Sequence, residues 1–95
     1  MIIYAKSAFK HGISQEQMDD VLRSDYSEIL DEGFEKTGHY SAMYVGFDSQ
    51  GNLIEVKVKF VASKIFNNYQ KHVFHADKAT RQYQKLFNQR KGNEK

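Results

Sequence analysis

The chain has no cysteine, no proline and no tryptophan in its 95 residues. Without cysteine no disulfide forms and no thiolate is available to a zinc site, so the chain suits a reducing compartment. Without proline, and with no Gly/Ser-rich linker or internal repeat, nothing divides the sequence. A single domain over residues 1–95 is expected, large enough for one modest core, with residues 91–95 as a frayed tail. Long apolar runs are missing too. The opening MIIYAKSAFKHG meets a lysine after a few apolar residues, short of a signal-peptide core or a membrane span, so a cytoplasmic protein with no membrane association is expected.

Familiar catalytic motifs are equally scarce. GxGxxG, the Walker loop, HExxH and GxSxG do not occur. The histidines stand at 11, 39, 72 and 75; His72 and His75 fall in a predicted strand that points them to opposite faces, so no metal site is expected. Asp19 and Asp20 lie side by side on a helix and diverge, which argues against a carboxylate pair for hydrolysis. No metal and no cofactor are expected.

What is present is a charge division. Residues 1–52 carry four Lys or Arg against nine Asp or Glu, giving −5, and residues 53–95 carry ten against three, giving +7. A basic C-terminal half suits a polyanion such as nucleic acid. The acidic stretch Asp25 to Glu35 suits a solvated loop or a basic partner, and both halves equally suit plain solvated surface.

The pattern yields a string of elements. Ile2 to Ala5 reads as a short strand, and Ser7 to His11 as a helical turn. Ser14 has the character of a helix N-cap, with Gln17 completing a capping box and Ile13 and Met18 a hydrophobic staple. The helix runs to about Ser24, with Met18, Val21 and Leu22 inward. A short strand is placed near Glu28 to Leu30. From His39 the period becomes two: HYSAMYVGFD, the turn SQGN and LIEVKVKFV form a hairpin. In its second arm Ile54, Val56, Val58 and Phe60 face the core, while Glu55, Lys57 and Lys59 face solvent. SKIFNNYQ (63–70) reads as a long turn, Lys71 to His75 as the last strand, and Asp77 to about Arg90 as the last helix, with an Ala79, Tyr83, Leu86, Phe87 stripe. The fold class is α+β, an antiparallel sheet of three to five strands with N-terminal helices and a C-terminal helix, the helices packed on one sheet face. An exposed edge strand and apolar side chains at Ile65, Phe66 and Tyr69 suit pairing with a partner chain.

The residues left for chemistry are cationic. Cutting RNA without a metal needs a base for the 2′-hydroxyl, an acid for the leaving oxygen and cations for the phosphate. His75 ends a strand, and Lys78, Arg81 and Lys85 recur along the next helix, with Tyr83 offering a hydroxyl. Each has a plainer role: Tyr83 in the core, Lys85 in solvent, His75 in packing.

FKHGIS at 9–14, the acidic helix after it, the YVGFD…GNLIEV hairpin and HADKATRQY at 75–83 together resemble the BrnT-type toxins of bacterial type II toxin–antitoxin modules. The likeness spans most of the chain in the right order, through short motifs. It implies a RelE-like α+β ribonuclease that inhibits translation by cutting RNA and is held inactive, as a hetero-oligomer, by a cognate antitoxin. The matching positions are Lys10, His11, Gly12, Gly46, His75, Ala76, Lys78, Ala79 and Tyr83. Two departures stand out: the family carries arginine where Asp77 stands, and an arginine before the first hairpin strand is missing, with Lys36 and His39 nearest. Under this resemblance His11 and His75 would meet across one groove as acid and base, since imidazole titrates near ~6.5. Lys78 and Arg81 would clamp the phosphate, and Lys10, Lys57, Lys59, Lys85 and Tyr83 would contact RNA. The alternative is a non-catalytic module of the same fold that binds nucleic acid or an antitoxin through charge alone.

Overall fold

A computed structural model of the chain describes residues 2–63 and 68–93. The elements in order are β1 (Ile2–Tyr4), a 3-10 turn (Lys6–Phe9), α1 (Gln15–Arg23), β2 (Glu28–Phe34), β3 (Tyr40–Phe47), β4 (Leu53–Ser63), β5 (Asn68–Lys78) and α2 (Arg81–Asn93). The five strands form one sheet in the order β1-β5-β4-β3-β2. The fold is therefore α+β, but the sheet is mixed rather than antiparallel throughout, because β1 lies parallel to β5. That pairing sets the first strand beside the last and caps the edge that β5 would otherwise expose.

Several boundaries move from their sequence positions for a common reason, the sheet. The acidic stretch holds the seven-residue strand β2, paired to β3 from Glu28↔Val45 to Phe34↔Tyr40 with a bulge between Leu30 and Gly33. Of the long turn predicted over 63–70, Ser63 belongs instead to β4 and residues 68–70 to β5, and residues 64–67, Ile65 and Phe66 among them, lie outside the described residues. The last strand extends through Lys78, because Asp77 and Lys78 pair with Glu55 and Ile54. Ala79 N then donates to Leu53 O at 3.0 Å, so the last helix starts at Arg81 and not Asp77. It runs to Asn93, so residues 91–93, predicted as part of the tail, are helical.

Helix α1 follows its sequence signals closely. Ser14 Oγ accepts from Gln17 N at 3.1 Å, and Ser14 N donates to Gln17 Oε1 at 2.9 Å. Met18 and Val21 are fully buried, joined by Ile13 just before the helix. At about 1.5–3 kcal/mol for each fully buried side chain, these contacts outweigh the modest intrinsic stability of a nine-residue helix.

The two helices lie on opposite faces of the sheet, against the prediction of one shared face. On the first face α1, together with Ile13 and with Ala8 of the 3-10 turn, covers Ile54, Val56, Val58, Val73 and Ala76. On the second, α2 brings Phe87, with Tyr83 and Leu86 beside it, against Leu30, Met43 and Val45. The cause is β3, in which Ala42, Met43 and Val45 are all buried: apolar on both sides, it needs two covers. The close approach of Gly46 to the chain after α1 is part of this packing. A Cβ there would lie 2.9 Å from Ser27 Cβ and drive into Ser27 Oγ, and that hydroxyl is itself held by Val21 O at 2.7 Å.

Candidate active site

The second sheet face is left partly uncovered beyond α2, and here β1 and β5 bring two distant segments together. Because β1 runs beside β5 with Tyr4↔Val73 in register, the chain leaving it passes along Phe74 and His75. Ala5 N donates to Val73 O at 2.9 Å, and Ser7 Oγ donates to Phe74 O at 2.7 Å. The turn that follows the 3-10 segment closes at Gly12, whose N donates to Phe9 O and whose φ of +80° is a conformation that glycine adopts without strain. His11, just before it, is thereby placed over β5. The rings of His11 and His75 stand 5.5 Å apart, edge to face at 72°.

A β-bulge sets the aim of His75. Lys57 pairs with His75 and the next residue, Val58, with Val73, leaving Phe74 as the extra residue of β5. The bulge resets the alternation. His72 pairs with Lys59 and His75 with Lys57, two positions of one face, so the two histidines share a face instead of pointing apart. Among the described residues no group of three or more His, Cys, Asp or Glu side chains is arranged to hold a metal ion.

Both imidazoles of the pair lie beside carboxylates. His75 Nε2 meets Glu55 Oε2 at 2.9 Å; with an ionised carboxylate as acceptor Nε2 carries a proton, and the neutral tautomer this favours has its lone pair on Nδ1. Glu55 is only 3% exposed, and its other oxygen accepts from Thr80 N at 2.7 Å, just before α2. His11 Nδ1 lies 3.6 Å from Asp77 Oδ2, whose Oδ1 accepts from Lys78 N at 2.7 Å. Asp77, where the resemblance expects arginine, is thus a neighbour of His11 and not a phosphate ligand.

An open groove of about 530 Å³ lies over this pair, lined by Lys10, His11, Lys57, Phe74 and His75 together with Ser7 and Met43. Lys57 stands over the Phe74 ring at 5.9 Å and 3.6 Å from Glu35 Oε1. Ser41 Oγ also donates to that oxygen at 2.7 Å; this hydrogen bond first, and then Lys57, hold the Glu35 carboxyl below the usual carboxylate range. A somewhat larger concavity of 570 Å³ at the far end of the sheet is walled by Phe34, Tyr40, Phe60 and Tyr69. Its lining is mainly apolar and offers no acid–base pair, so the histidine groove is the better candidate for chemistry.

Of the residues singled out in the sequence, Lys10, His11, Lys57 and His75 meet in this groove. Lys59 lies one row further along the same face, opposite His72. Lys78 does not join them: it pairs with Ile54, on the other sheet face, and is exposed. Arg81 and Lys85 are exposed on α2 and do not line the groove. Tyr83 packs on the second core, and its hydroxyl donates to Asp31 Oδ2 at 2.7 Å. Burial foremost, and then that carboxylate, push the Tyr83 hydroxyl up to about 12. His39 contacts Thr37 Oγ1 in the β2–β3 turn, and neither it nor Lys36, the residues nearest the second arginine that the resemblance expects, lines the groove. The residue missed in the sequence is Glu55. Its one signal was a lone carboxylate between apolar neighbours in the middle of a strand.

No known family model matches the chain, and no curated protein matches it in sequence.

Proposed function

We propose that the chain is the toxin component of a type II toxin–antitoxin module, a BrnT-like and RelE-related endoribonuclease that cuts RNA without a metal ion. In this reading it inhibits translation in the cytoplasm and is neutralised by a cognate antitoxin. The observation that carries the proposal is the His11–His75 pair, remote in sequence and 5.5 Å apart in an open groove that also holds Lys10 and Lys57.

In this reading each histidine takes its role from the contacts it makes. His75, with Nε2–H directed at Glu55, takes the 2′-hydroxyl proton on Nδ1, and the buried carboxylate stabilises the imidazolium that forms. The 2′-oxygen attacks phosphorus, the bond from phosphorus to the 5′-oxygen breaks, and protonated His11 gives its proton to that oxygen. The products are a 2′,3′-cyclic phosphate and a free 5′-hydroxyl. Lys10 and Lys57 face the non-bridging oxygens as charge builds on them.

The test is expression of this chain alone, with growth and RNA integrity followed for wild type, His11→Ala and His75→Ala. Growth arrest with RNA fragmentation in wild type, lost in both variants, is expected. Wild type that binds RNA but leaves it intact would replace this reading with the non-catalytic binding module. Arrest that persists in both variants would remove the histidines from the chemistry.

A further inference from the structure

Beyond the histidine groove the second sheet face continues into a row that the proposed cleavage does not use. Lys59 and His72 stand directly opposite each other on β4 and β5, as Lys57 and His75 do one row earlier. The bulge at Phe74 is what makes this repeat, since without it His72 would fall on the α1 face. Both side chains are half-exposed, and neither belongs to a core cluster. His72 Nε2 has a long contact with Gln70 Oε1 at 3.4 Å. Lys59 has no ion pair among the described residues, whereas Lys57 is shared with Glu35. Lys59 is thus better placed than Lys57 to give its whole charge to a ligand.

We infer that Lys59 and His72 form a second phosphate subsite, which holds the backbone phosphate next to the scissile one in single-stranded RNA. Residues two apart on a strand are ~6.8 Å apart, a spacing comparable with that of successive phosphates in an extended single strand. A strand of RNA running along β4 and β5 therefore meets one lysine–histidine row at each of two consecutive phosphates. Phe74, exposed in part between the rows on the bulge, offers a face for the intervening base to stack on. The inference deepens the proposed nuclease function by giving it a minimum substrate: RNA with at least two phosphates, bound through its backbone and not its sequence.

The test separates this subsite from catalysis by using 2′-O-methyl oligonucleotides, which lack the nucleophile and are not cut. Binding of a dinucleotide with one phosphate and of a tetranucleotide with three is measured by fluorescence anisotropy, for wild type and the Lys59→Ala/His72→Ala double variant. Wild type is expected to bind the tetranucleotide about tenfold more tightly than the dinucleotide, from the added charge contact. The double variant should lose that gain, show a shallower salt dependence and bind the dinucleotide as wild type does. His72→Gln with Lys59 intact should lose only part of it. Equal binding of the tetranucleotide by wild type and the double variant would overturn the subsite, as would an equal loss on both oligonucleotides. If the length dependence holds while RNA with free 2′-hydroxyls is never cut, the subsite stands and the nuclease reading falls; if cutting occurs without any length dependence, the subsite falls alone.

Discussion

Removing the carboxylate of Glu55 should cost both fold and chemistry, and the two costs separate. Glu55 is 3% exposed and accepts from Thr80 N at 2.7 Å and from His75 Nε2 at 2.9 Å. In Glu55→Ala both donors lose their acceptor. A fully buried donor left unpaired costs about 1–3 kcal/mol, but Thr80 is an exposed residue and the His75 side chain is 31% exposed, so both recover part of the loss through water. The expected destabilisation is about 1–3 kcal/mol, still a sizeable share of the roughly 5–15 kcal/mol that holds a small domain together. Glu55→Gln keeps an acceptor for Thr80 N but turns an amide toward His75, so it should cost only about 1 kcal/mol while reversing the imidazole tautomer. Urea unfolding followed by circular dichroism measures the first effect, and single-turnover RNA cleavage the second. Glu55→Gln should be nearly as stable as wild type yet strongly impaired in cleavage. An alanine variant within 0.5 kcal/mol of wild type would refute the account of Glu55 as a buried structural acceptor, as would a glutamine variant less stable than the alanine one.

Other outcomes follow from particular contacts. Gly46→Ala should cost about 1–3 kcal/mol by overpacking, because the new methyl meets Ser27; Ser27→Gly in the same chain should recover much of the loss, and thermal unfolding of the pair checks both. Asp48, 6% exposed in the β3–β4 turn, accepts from Gln17, Gln50 and Asn52. The bond from Gln17, ahead of those from Asn52 and Gln50, lowers its carboxyl from 3.8 to about 2. A depressed carboxylate contributes stability that is fully present above pH 3.8 and is lost as pH falls through about 2. Wild type should therefore lose at most about 2 kcal/mol over that interval through this group, and Asp48→Asn should flatten that part of the acid-unfolding curve. Tyr83→Phe removes the hydrogen bond to Asp31 and should cost about 1 kcal/mol with cleavage unchanged; a tenfold loss of cleavage at unchanged stability would return Tyr83 to the site.

Where local chemistry decides the structure, the sequence is readable. The capping box at Ser14 and Gln17, the staple residues Ile13 and Met18, and the alternation of Tyr40 to Phe47 and of Leu53 onward each rest on neighbours a few residues apart. The departures all involve partners far along the chain. That Glu55 is buried depends on the start of α2 folding over its face, which alternation in β4 does not encode. The shared face of His72 and His75 depends on one extra residue relative to the partner strand, a property of the pair and not of β5. The early end of β-structure predicted at His75 fails because HADKAT has helical composition but is held by pairing to β4. His11 and His75 are both visible as candidates, while what joins them, the parallel β1–β5 pairing, is the longest-range contact in the sheet. Lys78 and Arg81 fall at helical spacing in the sequence, but Lys78 ends β5 and only Arg81 lies on α2.

If His11 and His75 act together on one phosphodiester, the ends left on cleaved RNA carry the signature of that chemistry. Purified protein is incubated with a defined RNA in the presence of a chelator, beside His11→Ala and His75→Ala, and the new termini are identified by mass. Wild type should leave 2′,3′-cyclic phosphate and 5′-hydroxyl ends, undiminished by the chelator, and each variant should cleave at least a hundredfold more slowly, in line with the ~10²–10⁴ that a positioned acid or base contributes. Termini with a 5′-phosphate, or cleavage unchanged in either histidine variant, would exclude a paired role for the two histidines.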